Sequence, residues 1–120
     1  MEPEANEEAL SRQFRVIWHK KAQEDIRSVD PSWTDRIIRS ADKKLQIAPH
    51  LIGEPLKGTT SRLWKIRAGK YRILYTICKE EVVILAVGNR DFIYNKHNAS
   101  VQELIRTAAA LHQHLKRGSF

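Results

Sequence analysis

The densest chemistry in this chain surrounds one glycine. In Leu63-Trp64-Lys65-Ile66-Arg67-Ala68-Gly69-Lys70-Tyr71-Arg72-Ile73-Leu74, two runs of alternating side chains flank Gly69-Lys70. Glycine supplies the positive φ of the first central position in a type II′ turn, so Gly69-Lys70 predicts a two-residue hairpin. That register sets Ala68 against Tyr71, Arg67 against Arg72 and Lys65 against Leu74. Side chains alternate between the faces of a strand, so Trp64, Ile66, Tyr71, Ile73, Tyr75 and Ile77 share an apolar face. Lys65, Arg67 and Arg72 crowd the other. Like charges directly opposite on a sheet cost a few tenths to about 1 kcal/mol. No acidic residue lies between Glu54 and Glu80 to relieve them, and Lys57, Arg62 and Lys70 add to the field. Cations gathered in this way predict a polyanion site. The competing readings are a solvated face or a carboxylate brought in from another element.

A second group follows the third strand-like run. Gly88 lets a backbone bend as it leaves a sheet, so Arg90 and Tyr94 can fold back over the basic face. Arginine matches a phosphate through its planar fork, and tyrosine can stack on a base or exchange a proton. Other chemistries find little support. His19, His50, His97, His112 and His114 show no metal-ligand spacing. Cys78 has no identifiable base, the glycines form neither a P-loop nor a dinucleotide fingerprint, and the carboxylates suggest no acid/base pair.

The elements that must carry these residues are legible in outline. Phe14, Val16 and Trp18 alternate as a first strand, and Ala22, Ile26 and Val29 recur at helical spacing. Asp30-Pro31 reads as an N-cap with proline at the first helical position. Trp33, Ile37, Ala41 and Leu45 then draw an apolar stripe that Pro49 is expected to terminate. A connector over His50–Ser61 leads to strands at Arg62–Arg67, Tyr71–Ile77 and Val82–Val87. Ser100-Val101-Gln102-Glu103 has the form of a capping box before a stripe of Leu104, Ile105, Ala108, Leu111 and Leu115. The order β-α-α-β-β-β-α is that of an α+β domain: an N-terminal strand, a two-helix hairpin, a three-stranded antiparallel meander joining one sheet, and an extra C-terminal helix.

At 120 residues the chain is the size of one domain, and 42% hydrophobic with 29% charged residues is a globular mixture. No apolar run is long enough for a membrane helix, and one cysteine cannot form an internal disulfide, so a cytoplasmic protein is expected. Residues 1–13 hold four Glu against Arg12, a charge of −3, and read as an acidic, flexible arm. The remaining residues, at +10, account for the net +7 and attract polyanions electrostatically.

The run Gly53-Glu54-Pro55-Leu56-Lys57-Gly58, then Leu63-Trp64-Lys65-Ile66-Arg67, Tyr71-Arg72-Ile73-Leu74-Tyr75, Val83-Ile84-Leu85-Ala86-Val87-Gly88-Asn89-Arg90 and Tyr94, resembles the RelE/ParE toxin superfamily. The resemblance covers roughly residues 14–96, leaving 97–120 as a helical extension. It implies the toxin of a type II toxin–antitoxin pair, with a cognate antitoxin as partner. Its RelE branch cuts mRNA in the ribosomal A site, using neither metal nor cofactor. On that analogy the catalytic residues are Lys65, Arg67, Arg72, Arg90 and Tyr94; Lys57, Arg62 and Lys70, which add to the basic field, are expected to bind the RNA. The 2′-hydroxyl would attack the adjacent phosphate, with Lys65 or Tyr94 as base. Two features depart from the pattern: Asn89 stands where many relatives have histidine, and many relatives end soon after the tyrosine. The alternatives are a ParE-like inhibitor of DNA gyrase and an inactive interaction module with the same fold.

Overall fold

The computed structural model describes residues 13–56, 63–89 and 103–111. β1 (Arg15–Trp18) leads into α1 (Lys20–Arg27) and α2 (Pro31–Leu45), followed by a one-turn α3 (Pro49–Ile52). β2 (Glu54–Pro55), β3 (Trp64–Ala68), β4 (Tyr71–Cys78) and β5 (Glu81–Asn89) complete a five-stranded sheet, and residues 103–111 form α4. The strand order is β1-β5-β4-β3-β2. β1 runs parallel to β5, and every other pairing is antiparallel.

The helix starts follow from local chemistry. The Asp30 carboxylate accepts from the Ser32 backbone N–H at 3.1 Å and from the Ser32 hydroxyl at 3.0 Å, with Pro31 in the first turn of α2. Those hydrogen bonds to its ionised form hold Asp30 below the usual carboxylate range. At α1, His19 Nδ1 accepts from the Lys21 N–H at 3.3 Å. The expected stripe buries Ile37, Ala41 and Leu45 completely, with Trp33 packed at its end.

The sheet is covered on both sides. α1 and α2 bury their stripes on one face, against Ile66, Ile73, Tyr75, Ile77, Val82, Ile84 and Val87. On the other face Leu104 and Ala108 of α4 pack against Leu63, Leu74, Val83, Leu85 and Ala86. A bulge in β5 reconciles the two patterns. Leu74 pairs with Ala86 but Tyr75 pairs with Ile84, which leaves Leu85 without a counterpart. The extra residue resets the alternation, so that Val82, Ile84 and Val87 all meet the helices while Val83, Leu85 and Ala86 meet α4.

The hairpin has the expected register, Ala68 with Tyr71, Arg67 with Arg72 and Lys65 with Leu74. Gly69 takes φ +62° and Lys70 does not share a positive φ, as a type II′ turn requires. The connector differs from expectation. α2 ends at Leu45, four residues before Pro49, and Pro49 opens α3 instead of closing α2. Proline fits a first helical turn because the missing N–H would have had no helical partner there. After Gly53 the chain then pairs with β3 as β2. The expected acidic arm through residue 12, and the capping box at Ser100–Gln102, lie outside the described residues.

Candidate polyanion-binding site

Lys65, Arg67 and Arg72 meet on one side of the β3–β4 hairpin. With Ile52, Glu54 and Ile66 they line an open groove of about 410 Å³. Arg67 is exposed and Lys65 half-buried, whereas Arg72 is only 7% exposed. One guanidinium nitrogen of Arg72 donates to the carbonyls of Gly69 and Tyr71, each at 3.2 Å. Arg72 thus ties the turn together while presenting charge to the groove. This offsets the repulsion of Arg67 and Arg72 at opposite register positions, because a buried guanidinium with accepting carbonyls is partly satisfied from within its own hairpin.

Glu54 is the residue the sequence reading did not single out. β2 sets it directly opposite Lys65, and both line the groove. A carboxylate from another element therefore stands among the cations. The available signal was the Glu-Pro pair itself, but a two-residue strand has no periodicity to read.

Close packing fixes this arrangement at both ends. A Cβ at Gly53 would collide with the Tyr75 hydroxyl and stand 3.0 Å from the Lys65 carbonyl oxygen. Glycine lets α3 and β2 lie that close to the sheet. The Tyr75 hydroxyl donates to the Pro49 carbonyl at 2.7 Å, and burial pushes its phenol far above the ordinary tyrosine range. Trp64 stacks beside Tyr75 at 6.4 Å between centroids, and His50 meets Trp64 edge-on at 5.7 Å. At the turn, a Cβ on Gly69 would run into the Trp33 ring, which meets Tyr71 edge-on at 5.8 Å. The Asp30 N–H donates to the Tyr71 hydroxyl at 3.3 Å.

Lys70 does not join the groove. Its ammonium lies 5.6 Å from the centroid of Tyr71, a ring packed on the helix side of the sheet. Lys57, Arg62, Arg90 and Tyr94 lie outside the described residues. Among the described residues no three His, Cys, Asp or Glu side chains gather to hold a metal ion. Cys78 is buried, which pushes its thiol up and leaves it a packing residue. A groove with cationic polar groups and an apolar wall at Ile52 has the chemistry to hold a phosphate and the apolar part of what carries it.

A small α+β protein with a helical hairpin on one sheet face and clustered cations beside the other is thus the class of molecule in hand. A family model described as the ParE toxin of the type II toxin–antitoxin system parDE matches residues 16–94. Toxin RelG of Mycobacterium tuberculosis is 32% identical over 85 residues, covering 69% of this chain and 98% of RelG. The chain therefore belongs to the RelE/ParE superfamily, the toxins of type II toxin–antitoxin systems.

Among solved structures, a chain of the M. tuberculosis toxin–antitoxin complex RelBE2 is similar with a TM-score of 0.60 and 30% identity, over 65% of this chain and 92% of that one. A chain of the chromosomal ParDE system of P. aeruginosa shares the fold, with a TM-score of 0.54 at 13% identity over 65% and 97% of the two chains. Isolated E. coli RelE shares it too, at 0.53 and 15% over 78% and 97%. No helix among the described residues is long and apolar enough to cross a membrane.

Proposed function

We propose that this toxin is a ribosome-dependent endoribonuclease that cleaves mRNA without a metal ion. The observation that carries the reading is the meeting of Lys65, Arg67, Arg72 and Glu54 in one groove. The 2′-oxygen of the nucleotide before the cut attacks its 3′-phosphate. The new 2′-O–P bond forms as the bond to the 5′-oxygen of the next nucleotide breaks, giving a 2′,3′-cyclic phosphate and a 5′-hydroxyl. Arg67 and Arg72 stabilise the charge that grows on the non-bridging oxygens. On the family analogy, Arg90 stabilises the departing 5′-oxygen, which takes its proton from water, and Tyr94 stacks on a base or exchanges a proton.

The 2′-proton needs an acceptor. Lysine and tyrosine ordinarily titrate near pH 10, so Lys65 or Tyr94 could accept it only after the site had lowered its pKa. A carboxylate ordinarily titrates near pH 4 and is ready at neutral pH. Glu54, across the ladder from Lys65, is the acceptor in this reading, and Lys65 steadies both the carboxylate and the phosphate.

The proposed partners are the ribosome, its mRNA and a cognate antitoxin. The antitoxin is supported by the similarity to the toxin–antitoxin complex RelBE2. A second reading, a ParE-like inhibitor of DNA gyrase, is favoured by the ParE description of the matching family model. Mapping new mRNA 5′ ends in a purified translation system separates the two. The nuclease yields ribosome-dependent cuts, absent on free mRNA and absent for the Lys65→Ala/Arg72→Ala/Tyr94→Ala protein. Intact mRNA together with gyrase inhibition would establish the second reading.

A further inference from the structure

The one-turn α3 and the connection before it present apolar side chains to solvent. Leu51 is 86% exposed, Ile47 50% and Ile52 44%, and all three fall between Gln46 and Gly53. Aliphatic residues exposed together in this way mark a surface that another segment covers. Ile52 is also a wall of the groove that holds Lys65, Arg67 and Arg72, so the apolar strip runs into the cationic one. Among the described residues Glu54 is the one carboxylate that lines this groove, which leaves three cations against one anion.

The N-terminal segment starts at the same place. The Phe14 N–H donates to the Gln46 carbonyl at 2.7 Å, one residue before Ile47, and the Phe14 ring meets His50 of α3 edge-on at 5.9 Å. Residues 1–12, which lie outside the described residues, therefore join the fold beside the apolar strip. The path from Gln46 to Ile52 is at most about 22 Å, whereas twelve residues can extend about 40 Å. The order of side chains along the segment also matches the surface. Read backwards from residue 13, Arg12 and Ser11 are followed by Leu10 and Ala9, then by Glu8, Glu7, Glu4 and Glu2. Along the surface, Ile47 and Leu51 come first, and Ile52 with Lys65 and Arg67 follows. The match to the ParE family model begins only at residue 16, beyond this segment.

We infer that residues 2–10 dock along α3, with Ala9 and Leu10 over Ile47 and Leu51 and the glutamates over Lys65 and Arg67, so that the chain carries its own competitor for the polyanion groove. Carboxylates offer the cations the same negative oxygens as a phosphate. A tethered segment needs little affinity of its own, because its effective concentration at the groove is in the millimolar range. The groove is favoured over Lys43 and Lys44, the exposed cations near the end of α2, because it shares Ile52 with the apolar strip. That the docked segment slows cleavage rests on the nuclease reading above; the docking itself does not.

The test places a nitroxide spin label on full-length Asn6→Cys, which keeps all four glutamates, while the buried Cys78 stays unlabelled. In isotope-labelled protein the amide signals of Ile52, Lys65 and Arg67 are expected to broaden more than those of Lys43 and Lys44. The broadening should disappear near about 1 M salt, where the screening length falls to about 3 Å. It should weaken in Lys65→Gln/Arg67→Gln and in Leu10→Ser, after circular dichroism confirms that both are folded. Broadening centred on Lys43 and Lys44, or none at α3 and the groove, would overturn the docking. Broadening just as strong with spin label and isotope on different molecules would assign the segment to a second copy and overturn it as well. In a purified translation system, Glu2→Gln/Glu4→Gln/Glu7→Gln/Glu8→Gln should cut ribosome-bound mRNA about threefold to tenfold faster at limiting protein, because the docked form is withheld from substrate. Docking with equal cleavage rates would overturn the competitor role. Docking with no cleavage by either protein would sink the nuclease reading and leave the docking standing.

Discussion

Glu54 on β2 stands directly opposite Lys65 on β3, and the two side chains line one groove with Arg67 and Arg72. In the proposed reaction this pairing sets a proton acceptor beside the cations that a cleaved phosphate needs. Replacing Glu54 with Gln keeps the shape and removes the basicity. Single-turnover cleavage of ribosome-bound mRNA should slow by about 10²–10⁴-fold, with partial recovery in Glu54→Asp. A rate unchanged in Glu54→Gln would return the proton to Lys65 or Tyr94.

Arg67 and Arg72 face each other but should fail differently when truncated. Arg67 is exposed, so Arg67→Ala should alter the urea midpoint by no more than about 0.5 kcal/mol equivalent while cleavage is lost. Arg72→Ala removes a buried guanidinium from the carbonyls of Gly69 and Tyr71, and should cost about 1.5–3 kcal/mol in addition to activity. Equal stability losses in the two variants would contradict the hairpin-tying role of Arg72.

Gly53 and Tyr75 occupy adjoining space. Gly53→Ala forces its methyl into the Tyr75 hydroxyl and should destabilise the protein by about 1–3 kcal/mol. Tyr75→Phe opens that space but strands the Pro49 carbonyl. The double variant should therefore be more stable than the two single losses summed, by at least about 0.5 kcal/mol in a urea double-mutant cycle. Strict additivity would mean the two residues do not compete for that space.

Burial raises the Tyr75 phenol above its unfolded value, so the folded protein keeps a proton that the unfolded chain releases first. The associated stability is fully present below about pH 10 and is lost as pH rises beyond it. In urea titrations above that pH, wild type should lose stability faster than Tyr75→Phe. Parallel curves would show that the buried phenol does not contribute to alkaline unfolding.

Lys79 carries φ +58° in the two-residue connection between β4 and β5. Side chains resist that region because Cβ crowds the backbone, so Lys79→Gly should raise stability by about 0.5–1 kcal/mol. A thermal midpoint that stays the same or falls would show that contacts of the lysine side chain outweigh the strain.

The β3–β4 hairpin was readable to the register because its information is local: one glycine suited to the turn and alternating residues on either side. The α2 stripe was readable for the same reason, with Asp30-Pro31 marking its start. The groove was half readable. Alternation places Lys65, Arg67 and Arg72 on one side, but says nothing of the burial of Arg72 or of the ring that holds Lys70 on the helix side.

Sequence alone therefore determined the longer helices and strands, the hairpin register and the concentration of charge, all of which depend on neighbours a few residues apart, but not the short α3 and β2 of the connector. Tertiary structure decided the parallel pairing of β1 with β5, the reset of alternation at Leu85 and the arrival of Glu54 opposite Lys65. Each joins segments distant in the chain or too short to carry a period of their own. Their placement follows from filling the space between two helical layers and a sheet, a condition no single segment expresses.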